Sequence, residues 1–230
     1  MSALGHFIEE EGIATVAIAL IRPQAERTRP PSALWVPFEL GRPLGPPGNA
    51  AFQKRVILAA LGLLEAEPAE SLIVDFPEDD PREMADPGWR PPLARAGNDI
   101  QAESAALAEP YARSCAERGR TTVGLSGLAP AEAAAYVAAW LHGPRPSSPV
   151  PELSPVLCLR FAIDDLKAFA LEAAIARGKP SSNQLGDWLW NETDTGAAIR
   201  ELRHRLVADE DERVKLIGGM FLVPALRVAG

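Results

Sequence analysis

Apolar residues recur along this chain at two different spacings, and the spacing changes from element to element. Leu4 to Glu11 places Leu4, Phe7 and Ile8 on one side of a helix, with Gly12 as its C-terminal cap. Ile13 to Leu20 is instead a nearly continuous β-favouring run, the pattern of a strand buried on both faces of a parallel sheet. Helix, glycine and buried strand make half of an α/β crossover unit, and a chain that opens inside such a unit raises the expectation of a preceding segment. Ala33 to Phe38 reads as a second strand, with Pro37 placing it near an edge or a strand end. Ala50 to Glu65 is an amphipathic helix with Phe52, Val56, Ala59 and Leu63 on its apolar side, and Ser71 to Phe76 is a third strand.

From Pro77 to Asn98 the chain is acidic and proline-rich, a connection of the length that is either functional or loose. Helix returns over Asp99 to Arg118, Thr121 to Leu125 reads as a short strand, and Pro130 opens another helix at its first position. Gly143 to Pro151 is linker-like. Beyond it, Val156 to Ile163 reads as a strand, Asp164 to Arg177, Ala197 to Val207 and Glu212 to Phe221 as helices, and Ser181 as the capped start of a short one. The expectation is an α/β domain over 1–142, a Pro/Ser-rich linker over 143–151 and a mostly helical region over 152–230. The fold class expected is α/β, doubly wound around a mainly parallel sheet, with a helical C-terminal extension.

Composition changes that picture little. An apolar share of 47% suits a packed core, and no apolar run approaches the roughly 18–20 residues that span a bilayer. The start carries no basic region of a signal peptide, so a cytoplasmic location is expected. A net charge of −8 argues against a general nucleic-acid binder, and Arg200, Arg203, His204 and Arg205 read as a solvated helix face paired with Glu201 and its neighbours.

The chemistry is sparse. Cys115 and Cys158 stand in no C-x-x-C arrangement and read as inert buried thiols. His6, His142 and His204 lack a second ligand at metal spacing, so neither metal nor cofactor is expected; Asp164 and Asp165 read as a helix start. Gly124-Leu-Ser-Gly fails the spacing of a nucleophile elbow, and no P-loop or dinucleotide fingerprint is present. The loop Glu39 to Gly48 combines permissive glycines (Gly41, Gly45) with rigid prolines after a strand end, where open α/β sheets bind ligands. There Arg42 either holds a small anionic ligand beside Glu39 or pairs with Glu39 structurally. Asp75 at a strand end and His6 are further ligand-binding candidates. Trp188 and Trp190 read as a core anchor plus a domain or subunit contact, or as the aromatic wall of a pocket with Glu192 at its mouth.

The runs Phe7 to Val16, Arg29 to Phe38, Gly41 to Gly48 and Phe52 to Val56 resemble the selenoprotein B component family: the substrate-activating subunits of glycine, sarcosine and betaine reductases, with related D-proline reductase subunits. The resemblance covers about residues 4–80. It implies reductive cleavage of a small amino acid or derivative by a selenocysteine or cysteine placed just before the helix that precedes the Gly-Ile-Ala-Thr-Val strand, where the helix N-terminus favours the anion. Neither cysteine of this chain matches that position, and no catalytic residue carries over. Three functions follow as expectations. The chain is a small-molecule-binding or accessory subunit partnering a redox-active chain, an active reductase whose nucleophile lies upstream of Met1, or a non-redox enzyme using Arg42, Glu39 and Asp75 or His6 on a small anionic substrate. Trp188, Trp190 and Phe221 add the expectation of a homo-oligomer.

Overall fold

The structure is a computed structural model, and it describes residues 2–66, 71–80, 86–93, 97 and 99–224. Two compact units divide the chain, Met1–Met84 and Ala85–Gly230. The boundary therefore falls before the fourth helix and not at 143–151, which instead joins two helices packed in the same bundle.

The first unit holds α1 (Ser2–Glu10), β1 (Ala17–Ala19), α2 (Arg22–Thr28), β2 (Ser32–Trp35), α3 (Ala50–Gly62, followed by a 3-10 turn to Glu65) and β3 (Leu72–Asp75). The three strands are parallel in the order β1-β2-β3, with Ala17 opposite Ala33 and Ala33 opposite Ile73. The chain is thus α/β, as expected, but among the described residues the three strands follow one another without the reversal of order that makes a switch point. Alternation splits β2 between two helices. Leu34 and Val36 join Phe52 and Val56 of α3 in a core that Phe38 and Phe76 complete. Trp35, on the opposite face, carries the Arg22 guanidinium of α2 at 5.5 Å from its ring centre.

One expectation about these strands is corrected: β1, read as buried on both faces, lies at an edge of the sheet, as does β3, and its residues are only partly buried. Pro37 lies beyond the ladder, where its missing N–H ends the pairing with β3 and disrupts nothing before it. The α1 side that was expected to pack is also open: Leu4 and Phe7 are exposed. The helix α2 lies where no element was expected. Pro23 suits its first turn, and Arg29 closes it in a left-handed conformation, its N–H donating to Ala25 O at 2.8 Å.

The second unit is helical: α4 (Ile100–Arg118), α5 (Pro130–His142), α6 (Pro155–Ile175), α7 (Ser182–Glu192), α8 (Asp194–Val207) and α9 (Glu212–Met220). The strand expected over 156–163 is the first half of α6, and Asp164 and Asp165 lie inside that helix. Buried positions 158, 159, 162, 163, 166, 169, 170 and 173 repeat at helical spacing throughout. Ser154 and Pro155 provide its start. The strand expected over 121–125 is a loop held by carboxylates, as described below. Ser181 caps α7: its hydroxyl accepts from Gln184 N while the Gln184 side chain accepts from Ser181 N at 3.0 Å. Residues 86–93 are pinned to this bundle. Gln184 exchanges two bonds of 2.8 Å with the backbone of Asp86, the Trp188 indole donates to Leu93 O at 3.1 Å, and Trp89 is buried in the core. No helix among the described residues is long and apolar enough to cross a membrane.

Candidate functional site

Near the carboxyl ends of the strands several charged side chains of the first unit form matched pairs. Arg22, at the N-terminus of α2, bonds Glu26 at 2.8 Å and Asp75 at the end of β3. Asp75, then Glu26, hold the Arg22 guanidinium above its ordinary pKa against slight desolvation. Arg55 of α3 forks onto both oxygens of Glu78, at 2.8 and 2.6 Å, and thereby holds the Glu78 carboxyl below its usual range.

The loop 39–48 is a series of turns. Arg42 N donates to Glu39 O at 3.0 Å and Gly45 N to Arg42 O at 2.9 Å, with Gly41, Gly45 and Gly48 all at positive φ. Asn49 then accepts from Phe52 N at 3.1 Å and caps α3. Arg42 and Glu39 bond each other at 3.1 Å, the structural alternative weighed from sequence. The loop's shape is set from below by Phe52. A Cβ on Gly45 would lie 2.5 Å from that ring, which is locked against Phe38 and Phe76 with centroids 5.5 and 6.0 Å away. Gly45→Ala is expected to cost about 2 kcal/mol, from left-handed strain and collision together. Gly48→Ala, equally left-handed but facing open space, should cost about 1 kcal/mol. Urea titrations followed by circular dichroism compare the two; equal losses would remove Phe52 from the account.

His6 is not part of this end. Its Nε2 lies 2.6 Å from the carbonyl of Arg29, at the opposite end of α2 from Arg22. It borders a cleft of about 660 Å³ that follows β1 from Ala17 to Leu20 between α1 and α2, with Gln24 and Leu40 also on its walls. Of the candidates in this unit, the structure brings Glu39, Gly41, Arg42 and Gly45 together, sets Asp75 with Arg22, and separates His6.

The second unit places Trp188 and Trp190 in its own core, so neither forms a pocket wall or an exposed contact, and Glu192 is exposed at the end of α7. Its polar organisation rests on three nearly buried carboxylates that bind backbone N–H groups. Asp165 accepts from Gly124, Leu125 and Ser126 N at 2.8–2.9 Å and from Ser126 Oγ at 2.6 Å. Glu103 accepts from the N–H groups of Asp194 and Thr195 at the start of α8. Glu172, two turns after Asp165, accepts from Thr122 N at 2.8 Å and its hydroxyl at 2.7 Å. Burial pushes the Glu172 carboxyl up, but the bonds from Thr122 outweigh it and hold the group below its ordinary value.

Cys115 lies beside Glu172, its thiol donating across 3.8 Å, and Cys158 is wholly buried in α6. Among the described residues no cluster of three or more His, Cys, Asp or Glu side chains suits a metal ion.

Sequence reasoning missed Arg22, Trp35 and the carboxylates Glu103 and Glu172. The Arg22/Glu26 spacing of four was a usable signal once α2 was recognised. Compared with known proteins, the chain matches no family model, no curated sequence and no solved structure.

Proposed function

We propose that the chain is an accessory subunit of a reductase-type system, with a selenoprotein B-like first unit that carries no redox nucleophile of its own. The observation that supports this reading is the setting of the two thiols. Residues 4–80, which carry the resemblance, contain no cysteine. Cys115 lies in the last turn of α4, half-buried, with its thiol donating to the Glu172 carboxylate across 3.8 Å, far in sequence from the position before α1 where the resemblance places the nucleophile. Cys158 lies in the first turns of α6 with its sulfur sealed in the core. The finer fold reading, a doubly wound α/β sheet, draws its support from helices against both faces of β2, while the strand order β1-β2-β3 adds none. The pairing of Arg42 with Glu39 favours a loop that shapes a surface over one that holds a free cation for an anionic substrate.

Incubating the purified chain with dithiothreitol and glycine, sarcosine, betaine or proline is expected to give no reductive cleavage. Iodoacetamide should label the half-buried Cys115 more slowly than a fully exposed thiol, and Cys158 only on unfolding. Turnover that disappears in Cys115→Ser would overturn the reading and make this chain the reductase. An intact mass from the native host above 24.6 kDa by a cysteine- or selenocysteine-containing segment would overturn it in favour of an upstream nucleophile.

A further inference from the structure

The outer edge of β1 is built to pair, and we propose that it pairs with β1 of a second copy, antiparallel, about a two-fold axis at Ile18. The proposal does not depend on the accessory-subunit reading. Val36 N donates to Ala19 O at 2.9 Å, which turns the peptide groups of Ala17 and Ala19 toward β2. Those of Val16, Ile18 and Leu20 therefore point away from the sheet, and among the described residues no backbone partner meets them. Soluble proteins guard such an edge with charge, proline or a bulge. The run Ala14-Thr-Val-Ala-Ile-Ala-Leu20 has neither a charge nor a proline.

The occupant follows from the register. With Ile18 opposite its own copy, Val16 falls opposite Leu20, and all three pairs are of the type that exchanges both N–H···O bonds. Their side chains share the sheet face of Leu34 and Val36 and already pack, partly buried, against that core. Pairing therefore extends one apolar layer across both copies. A strand shifted by one residue would turn peptide groups away from each other and apolar side chains to the wrong face.

The surroundings supply area. Leu4, Phe7, Ile13, Ile21 and Leu40, on the segments flanking β1, are each 44–72% exposed. Leu40 borders the hollow along Ala17 to Ile21, and Leu4 the one at Thr15 to Ala17. Together these side chains offer on the order of 500 Å² per copy, about 1,000 Å² for the pair, the area at which an interface becomes specific. The contact also replaces the expectation that Trp188 and Trp190 mediate association, since both are core residues.

Sedimentation equilibrium of the full chain is expected to give a species of twice 24.6 kDa at micromolar concentration. Ile18→Pro deletes an N–H that β2 does not use, and should weaken association at least about tenfold. Phe7→Lys, on an exposed side chain that leaves the strand intact, should weaken it several-fold and serves if the proline variant loses its circular dichroism. Exchange of the Ile18 amide should slow as protein concentration rises. A monomer at tens of micromolar would overturn the proposal. So would a dimer whose dissociation constant ignores Phe7→Lys and whose Ile18 amide exchanges freely.

Discussion

Asp165→Ala is expected to destabilise the second unit by about 3–5 kcal/mol, enough to unfold much of it in mild denaturant. The carboxylate is buried in the middle of α6 and is the acceptor for three consecutive N–H groups, of Gly124, Leu125 and Ser126, and for the Ser126 hydroxyl. Alanine leaves those donors without their acceptor; the N–H and hydroxyl of Ser126 are buried, and an unpaired buried donor costs about 1–3 kcal/mol. Asp165→Asn keeps one oxygen but turns an NH2 group toward the donors of the other, so a loss of about half that size is expected. Ser126→Ala removes the hydroxyl's bond to Asp165 and the one it accepts from Leu128 N at 3.2 Å, and should cost about 1–2 kcal/mol. Urea titrations followed by tryptophan fluorescence report mainly on this unit, because four of the five tryptophans (Trp89, Trp140, Trp188 and Trp190) lie in it. A loss under about 1 kcal/mol for Asp165→Ala would mean that water substitutes for the carboxylate.

The same carboxylates explain where the sequence could be read and where it could not. In the first unit an apolar run, a glycine-rich turn and an amphipathic helix produced strands and a helix near where periodicity placed them, although the run Ile13 to Leu20 shrank to a three-residue strand and α2 had no such signal. Which strand stands at the edge was not legible, because edge status depends on a neighbour that is not encoded locally. In the second unit two β readings failed for separate reasons. Pro155-Val-Leu-Cys-Leu-Arg-Phe looks like a strand over seven residues, and only the continuation through Leu166, Phe169 and Ala173 reveals a period of 3.6. Thr121 to Leu125 has strand-forming residues, but its N–H groups are taken by Glu172 and Asp165, forty to fifty residues away. A window of local sequence cannot see those acceptors. Once α6 is continuous, Asp165 and Glu172 fall seven residues apart on one face, and the loop has a reason to be where it is. The candidate loop at 39–48 was legible because its glycines and prolines act locally, whereas the pairing of Arg22 with Asp75 required the fold.

The second large effect reverses the sign of an ordinary helix substitution. Alanine in place of glycine inside a helix usually stabilises by up to about 1 kcal/mol. Gly196, in the first turn of α8, is expected to do the opposite, with Gly196→Ala costing about 3 kcal/mol or more. Its added Cβ would lie 2.1 Å from Leu189 O and 3.1 Å from the Trp190 Cα, which are backbone atoms of α7 with no rotamer to yield. Thr193 ties the two helices together at this corner, its hydroxyl donating to Leu189 O at 2.6 Å and accepting from Gly196 N at 2.9 Å. Relief requires α7 to move, and α7 carries Trp188 and Trp190 in the core, so a change in native fluorescence should accompany the loss of stability. Gly219→Ala is the matched control: that glycine is helical and exposed, with nothing within 4 Å of a Cβ, and should gain a fraction of a kcal/mol. If both variants gain stability, the α7–α8 corner is looser than its geometry states, and the burial of the two tryptophans no longer rests on close backbone approach at Gly196.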